Sequence, residues 1–216
     1  MKKIPTLFER VYENHKVVDC LPSVTAGMEW VLAGEGVATV KIDGSCCAII
    51  NGEFYKRYDA KKGRKVPGGA IKCQDEPDPV TGHLPCWVKC DRDNPSDKWF
   101  WAAYDNLIEN GKLETTVCGL TGEKPSERKE LVYPELQDGT YEAIGKHFRN
   151  NSYQLDFDTL VKHGEQKIIV ERTFEGIKKY LSENYIEGIV FYDKCGNPSC
   201  KIKRTDFGLS WGDKNR

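Results

Sequence analysis

Apolar residues recur along the chain with two periods, one helical and one alternating. From Lys98 to Asn110, Trp99, Phe100, Ala103, Tyr104, Leu107 and Ile108 follow helical spacing, with Ser96 or Asp97 as N-cap and Gly111 as C-terminal stop. Thr173 to Asn184 predicts a second helix, capped by Thr173. Gly36 to Ile50 (GVATVKIDGSCCAII) is rich in small and β-branched residues, and the Asn51-Gly52 pair followed by EFYKRY predicts a hairpin. Gly139 to Gly145 reads as a strand bounded by glycines. Ile186 to Asp193 (IEGIVFYD) reads as a buried strand, Lys194 to Pro198 as a turn, and Ser199 to Arg204 as an alternating return strand. In that hairpin the period of two puts Lys201 and Lys203 on one face. Glu187 lies close to them if it shares that face, and three charges facing one way are costly unless something charged lies above.

Between these elements, Ala60 to Asp97 carries Pro67, Pro77, Pro79, Pro85 and Pro95, a Gly68-Gly69 pair and many charges. That is loop chemistry, and it predicts turns with at most short strands. No internal repeat or low-complexity tract divides the chain, so the expectation is one domain over residues 1–216 with a loop-rich insertion at about 60–97.

Composition narrows the classes. With 216 residues, 39% of them hydrophobic and 30% charged, the chain can bury a sizeable core. Lys and Arg total 32 against 33 Asp and Glu, so any polyanion has to be held by a local patch. The densest basic cluster is Lys61, Lys62, Arg64 and Lys65. No run approaches the roughly 18 apolar residues of a membrane span, and MKKIPTLFER has no apolar leader core, so no membrane association is expected. The nine cysteines are an odd number, and Cys46 and Cys47 are neighbours that would face opposite sides of a strand. Free thiols in a reducing, intracellular and cytoplasmic setting explain them, with the nucleus left open. Cys86-x3-Cys90 and Cys195-x4-Cys200 invite a zinc reading, but neither has CxxC spacing.

Taken in order, the polar positions embedded in these strands form a constellation: Lys41-Ile-Asp43-Gly44, Glu142, Glu187-Gly188 and Lys201-x-Lys203. The series resembles the covalent nucleotidyltransferase superfamily of ATP-dependent ligases and mRNA capping enzymes, with KxDG as motif I, a strand glutamate as motif III, EG as motif IV and KxK as motif V. KIDGSCCAI, Arg57-x-Asp59, TYEAIGKHFRNNSY and the tail CKIKRTDFGLSW are similar to the 5′-3′ RNA ligase family known from vertebrates and scattered viruses and microbes. The resemblance spans about residues 37 to 204. Residues 145–153 depart from the family pattern, so their loop geometry is not carried over.

The resemblance implies an α+β fold, two mostly antiparallel sheets with flanking helices around a nucleotide cleft. It implies ATP-dependent joining of 5′-phosphate and 3′-hydroxyl RNA ends: Lys41 takes AMP, the adenylate passes to the 5′ end, and the 3′-hydroxyl displaces it. Lys41, Lys201 and Lys203 are the catalytic expectation. Lys41, Asp43, Gly44, Arg57, Glu142, Glu187, Lys201 and Lys203 would hold ATP, and Glu187 would hold Mg²⁺ or Mn²⁺. Little chain follows Arg204, so RNA ends would be gripped by this domain, through Lys61, Lys62, Arg64 and Lys65. No protein partner is implied.

The chemistry suits those residue types. A lysine attacks phosphorus only as the neutral amine, so it needs desolvation or crowding by other cations, which Lys201, Lys203 and a divalent ion could supply. The same cations neutralise charge building on the α-phosphate. Mg²⁺ prefers oxygen ligands such as a Glu187 carboxylate, and an ionised Glu142 would accept from a ribose hydroxyl. Singly, each residue has a bland alternative: Lys41 a solvated charge, Lys201 and Lys203 a solubilising face, Arg57 a surface partner of Asp59, His147 and His163 core or loop histidines. Another nucleotidyltransferase (a DNA ligase or a capping guanylyltransferase) and a non-catalytic RNA-end-binding module remain the alternatives.

Overall fold

The computed structural model describes residues 1–14, 16–79, 81–111, 115–116, 119–120 and 136–212. They divide into two units. One comprises Met1–Lys3, Asp43–Glu114 and Gly122–His163; the other comprises Ile4–Ile42, Thr115–Thr121 and Gly164–Arg216. The chain passes between them at Ile42 and Asp43, within the KxDG sequence.

In chain order the second unit begins with β1 (Phe8–Glu13), β2 (Lys16–Val24), the short α1 (Glu29–Leu32) and β3 (Val37–Lys41). The first unit contributes β4 (Ser45–Ile50), β5 (Glu53–Ala60), β6 (Ile71–Lys72), β7 (Leu84–Lys89) and α2 (Lys98–Asn110). After the small pair β8 (Thr115–Thr116) and β9 (Gly119–Leu120) come β10 (Gly139–Gly145) and β11 (Asp158–Lys162), then β12 (Lys167–Ile168), α3 (Phe174–Glu183), β13 (Gly188–Tyr192) and β14 (Pro198–Lys203). The predicted strand over 36–50 is broken in two at residues 42–44, where the acidic and glycine positions of KxDG leave the ladder.

The first unit is built on a six-stranded sheet ordered β11-β10-β4-β5-β7-β6, with every neighbouring pair antiparallel. Alternation sorts its faces. Cys47, Ile49, Phe54, Tyr141, Ala143 and Leu160 pack with Ala103 and Leu107 of α2 in one core. The intervening residues Cys46, Arg57 and Glu142 therefore share the opposite face: Glu142 pairs with Cys46, and the β4–β5 register continued one residue sets Cys46 across from Arg57. The proline-rich stretch is more ordered than its composition predicts, because β7 is a six-residue strand paired along β5. Its Pro85, opposite Asp59, lacks only an N–H that an alternate ladder position does not need. Asp97 stands at the α2 N-cap but its side chain does not cap; it is buried, ion-paired to Lys56 and accepts from the Asp91 N–H at 3.1 Å.

The second unit carries a four-stranded antiparallel sheet, β12-β3-β13-β14. Ala38, Ile189, Phe191, Cys200 and Ile202 enter a core with Ile177 and Leu181 of α3 and with Leu7 and Phe8. Phe8, Phe174 and Phe207 meet edge to face, with centroids 5.0 to 6.4 Å apart. Pro5–Leu7 runs along the β14 edge: Lys201 N–H donates to Pro5 O at 3.0 Å, and Leu7 N–H to Lys201 O at 2.8 Å. Among the described residues no helix is long and apolar enough to cross a membrane.

Candidate active site

The second unit gathers the predicted lysines on one face of its sheet. Gly188 pairs with Lys41 on one side and with Lys203 on the other, and the next row is Thr39, Val190, Lys201. Three basic side chains thus stand on the face opposite the core. The chain bends at Glu187, just before β13, and the carboxylate enters between two of them: Oε2 lies 2.6 Å from Lys41 Nζ and Oε1 lies 2.7 Å from Lys203 Nζ. Glu187 is 4% exposed, and such a buried charge persists because it is paired on both oxygens. Gly188 must be glycine, because a Cβ there would sit 2.2 Å from Ile202 O.

Lys201 stands apart from this pairing. Among the described residues no carboxylate lies within ion-pair distance of it. Burial first, then Lys41 and Lys203, push its ammonium down to about 8. This side of the sheet therefore holds one carboxylate against three lysines, an arrangement suited to receiving an anion.

In the first unit the other half of KxDG is fastened by residues 149–153, a segment with no clear sequence pattern of its own. Asp43 N–H donates to the Tyr153 hydroxyl at 2.8 Å, Ser152 Oγ donates to Asp43 Oδ2 at 3.0 Å, and Arg149 Nε donates to Gly44 O at 2.8 Å. A Cβ on Gly44 would lie 2.3 Å from Ala143 O, so the glycine lets the chain pass against β10. On the same unit Glu142 is 9% exposed and receives His163: Nε2 is 2.8 Å from Glu142 Oε2, while Nδ1 is 2.9 Å from Thr140 Oγ1. Sequence reasoning misses this histidine, reading it as a core or loop residue. Its one available signal is its position two residues beyond Val161, the register partner of Glu142.

Arg57 donates through Nε to Asp59 Oδ1 and through Nη1 to Met1 O, each at 2.8 Å. Lys61, Lys62, Arg64 and Lys65 are exposed, and the first three line an open cavity of about 490 Å³ together with Pro77 and Thr81. Asp78 also lines it, held by the Thr81 hydroxyl and N–H, each at 2.7 Å, and then by Lys3 at 3.1 Å, bonds that draw its carboxyl down to about 2. Arg204, at the end of KIKR, is buried and structural, donating to the carbonyls of Leu181, Asn184 and Ser210.

A family model described as RNA ligase 1 matches residues 64–216. The chain belongs to the RNA ligase 1 family. For this family member the matched span contains Glu142, Glu187, Lys201 and Lys203, and begins after Lys41. No curated protein matches the chain.

Proposed function

We propose that this RNA ligase family member is an ATP-dependent RNA ligase of the covalent nucleotidyltransferase kind, joining 5′-phosphate and 3′-hydroxyl RNA ends through a lysyl-AMP intermediate. The observation that carries the reading is Glu187 shared between Lys41 and Lys203, with desolvated Lys201 in the next row. Lys41 Nζ bonds to the α-phosphorus of ATP while the bond from that phosphorus to the pyrophosphate oxygen breaks. The proton leaving Nζ has Glu187 Oε2, at 2.6 Å, as its nearest acceptor. Lys203 and Lys201 turn to the phosphates and neutralise charge as it develops.

Glu187 fits a divalent ion that arrives with the triphosphate. Both its oxygens are taken by ammonium groups, yet each keeps a further lone pair. Mg²⁺ commonly binds through one or two carboxylates, phosphate oxygens and waters. Mg²⁺ or Mn²⁺ held there would supply positive charge to the phosphates. By the same reading Glu142 accepts from a ribose hydroxyl, Arg57 and the backbone around Asp43 and Gly44 contribute to nucleotide binding, and Lys61, Lys62, Arg64 and Lys65 hold RNA phosphates.

Incubation with labelled ATP and Mg²⁺ tests the proposal. The expected product is a protein adduct labile in acid and stable in base, as a phosphoramidate is, discharged onto RNA bearing a 5′-phosphate. Labelling from GTP in place of ATP, or transfer to DNA ends alone, would reassign the chemistry within the superfamily. A chain that binds RNA ends and never labels is a binding module.

A further inference from the structure

Beside Glu142 stand two side chains that the ligase chemistry does not use. Cys46 lies directly across from Glu142 in the β10–β4 register, and His163 follows the last residue of β11. The Cys46 thiol sulfur, a Glu142 carboxylate oxygen and a His163 ring nitrogen all lie within 4.8 Å of one another. Among the described residues this is the single grouping of three such donors.

We propose that Cys46, Glu142 and His163 form a binding site for a borderline-soft divalent cation, zinc or cobalt, with a fourth position left to water. Cys46 and Glu142 stand on adjacent strands, and His163, one residue beyond β11, donates its N–H to Thr140 O at 3.0 Å, so the backbone fixes where each side chain starts. Tetrahedral zinc with sulfur, nitrogen and oxygen ligands needs donor atoms roughly 3.3 to 3.8 Å apart. The most widely spaced donors have to close by about 1.5 Å at most, and Nε2 and Oε2, now 2.8 Å apart, have to open by about half an ångström, shifts on the scale of side-chain rotation. His163 Nε2 and Glu142 Oε2 already aim at one another across a shared proton, and a cation entering between them finds both lone pairs pointed at it.

Thr140 supplies the support that metal-bound histidines generally have. Its hydroxyl lies 2.9 Å from His163 Nδ1, placed to accept the Nδ1–H of the tautomer that leaves Nε2 open for a metal. On binding, the Cys46 S–H bond breaks, its proton passes to the buffer and a sulfur–metal bond forms; the imidazole proton moves from Nε2 to Nδ1. The mixed donor set selects against Mg²⁺, which takes oxygen ligands in octahedral geometry. The site is therefore distinct from the ion that accompanies ATP at Glu187, although it shares Glu142 with the proposed ribose contact.

Cobalt reports the test directly. Chelator-treated full-length chain, reduced with a phosphine, is titrated with Co²⁺ and followed by absorption. The expected result is a sulfur-to-cobalt charge-transfer band with tetrahedral d–d bands saturating at one equivalent and erased by zinc. Cys46→Ser should lose the charge-transfer band while keeping its melting temperature. His163→Gln should loosen cobalt by more than the roughly 10- to 100-fold that losing a supporting hydrogen bond costs a metal site. A band that survives Cys46→Ser would assign cobalt to another of the nine cysteines and overturn the proposal. So would the absence of any band, or unchanged cobalt affinity in His163→Gln, which also serves if Cys46→Ser does not fold. Lysyl-AMP formation by the parent chain is scored separately, so failure of one reading leaves the other intact.

Discussion

Lys41 and Lys203 are bound to opposite oxygens of a single carboxylate, that of Glu187, at 2.6 and 2.7 Å. Two cations in one row of a sheet face, flanking Gly188, would repel one another, and this one anion holds both in place. The pairing also sets the proposed nucleophile directly against a carboxylate oxygen. A triphosphate that draws Lys203 away frees one Glu187 oxygen at the moment Lys41 has to lose its proton.

Lys41→Ala and Lys41→Arg are expected to abolish self-labelling by ATP, because alanine has no nucleophile and arginine stays charged at any workable pH. Both variants should still seal RNA that is chemically adenylated beforehand. Gel transfer assays of the two steps check this, and labelling retained by Lys41→Ala would place the nucleophile elsewhere.

Glu187→Gln keeps the shape of the carboxylate and removes its charge. Adenylation should fall by about 10²- to 10³-fold, the usual consequence of deleting one charged group that meets a transition state. Lys203→Ala should slow the same step by a comparable factor. Single-turnover kinetics measure both, and near-parental rates would reduce the cluster to an ordinary charged strand face.

Lys201 makes the reaction sensitive to pH. Its ammonium titrates near 8 in the folded chain and near 10.5 when exposed. Raising the pH through 8 discharges it in the free protein, so kcat/KM for ATP should fall on the alkaline side, and Lys201→Arg should move that limb upward. Stability follows the opposite course. Between about 8 and 10.5 the unfolded chain binds more protons than the folded one, so stability rises with pH across that window. Below 8 the folded state carries the whole burial penalty. Lys201→Met should therefore melt above the parent at pH 7, with the gap closing as the pH approaches 10.5; a constant gap would contradict the assignment.

Replacing Lys61, Lys62, Arg64 and Lys65 with serine should flatten the salt dependence of RNA sealing. The logarithmic slope should change by about 1 for each phosphate that is no longer neutralised. Self-adenylation should stay near the parental rate. With Arg204 buried against carbonyl oxygens, an unchanged slope would direct the search to other exposed cations.

Much of this arrangement is legible along the chain wherever one period dominates. The C-terminal hairpin, the helices over 98–110 and 174–183 and the strand from Gly139 to Gly145 each combine a single periodicity with glycine or a capping residue at the ends. Asp97 fails as a cap because its backbone is already helical: the turn Pro95–Asp97 precedes the helix and Asn94 caps it by accepting from the Ser96 N–H, which leaves the Asp97 carboxylate to Lys56. β7 is hidden by prolines, which signal loops wherever their missing N–H is needed and mean less at the alternate positions of a ladder. The paired lysines follow from period two. What brings His163 to Glu142 is strand order, β11 beside β10, and no local pattern encodes it.

The strand bearing Lys201 has its outer edge occupied by Pro5–Leu7, which takes up the backbone N–H and carbonyl of Lys201 itself. An open strand edge is a template for self-association, and here the template would be the row of residues that has to meet phosphate. Removing the first seven residues would thus do more than loosen Phe8: it would offer β14 to a second copy of the chain, trading a working surface for a sticky one.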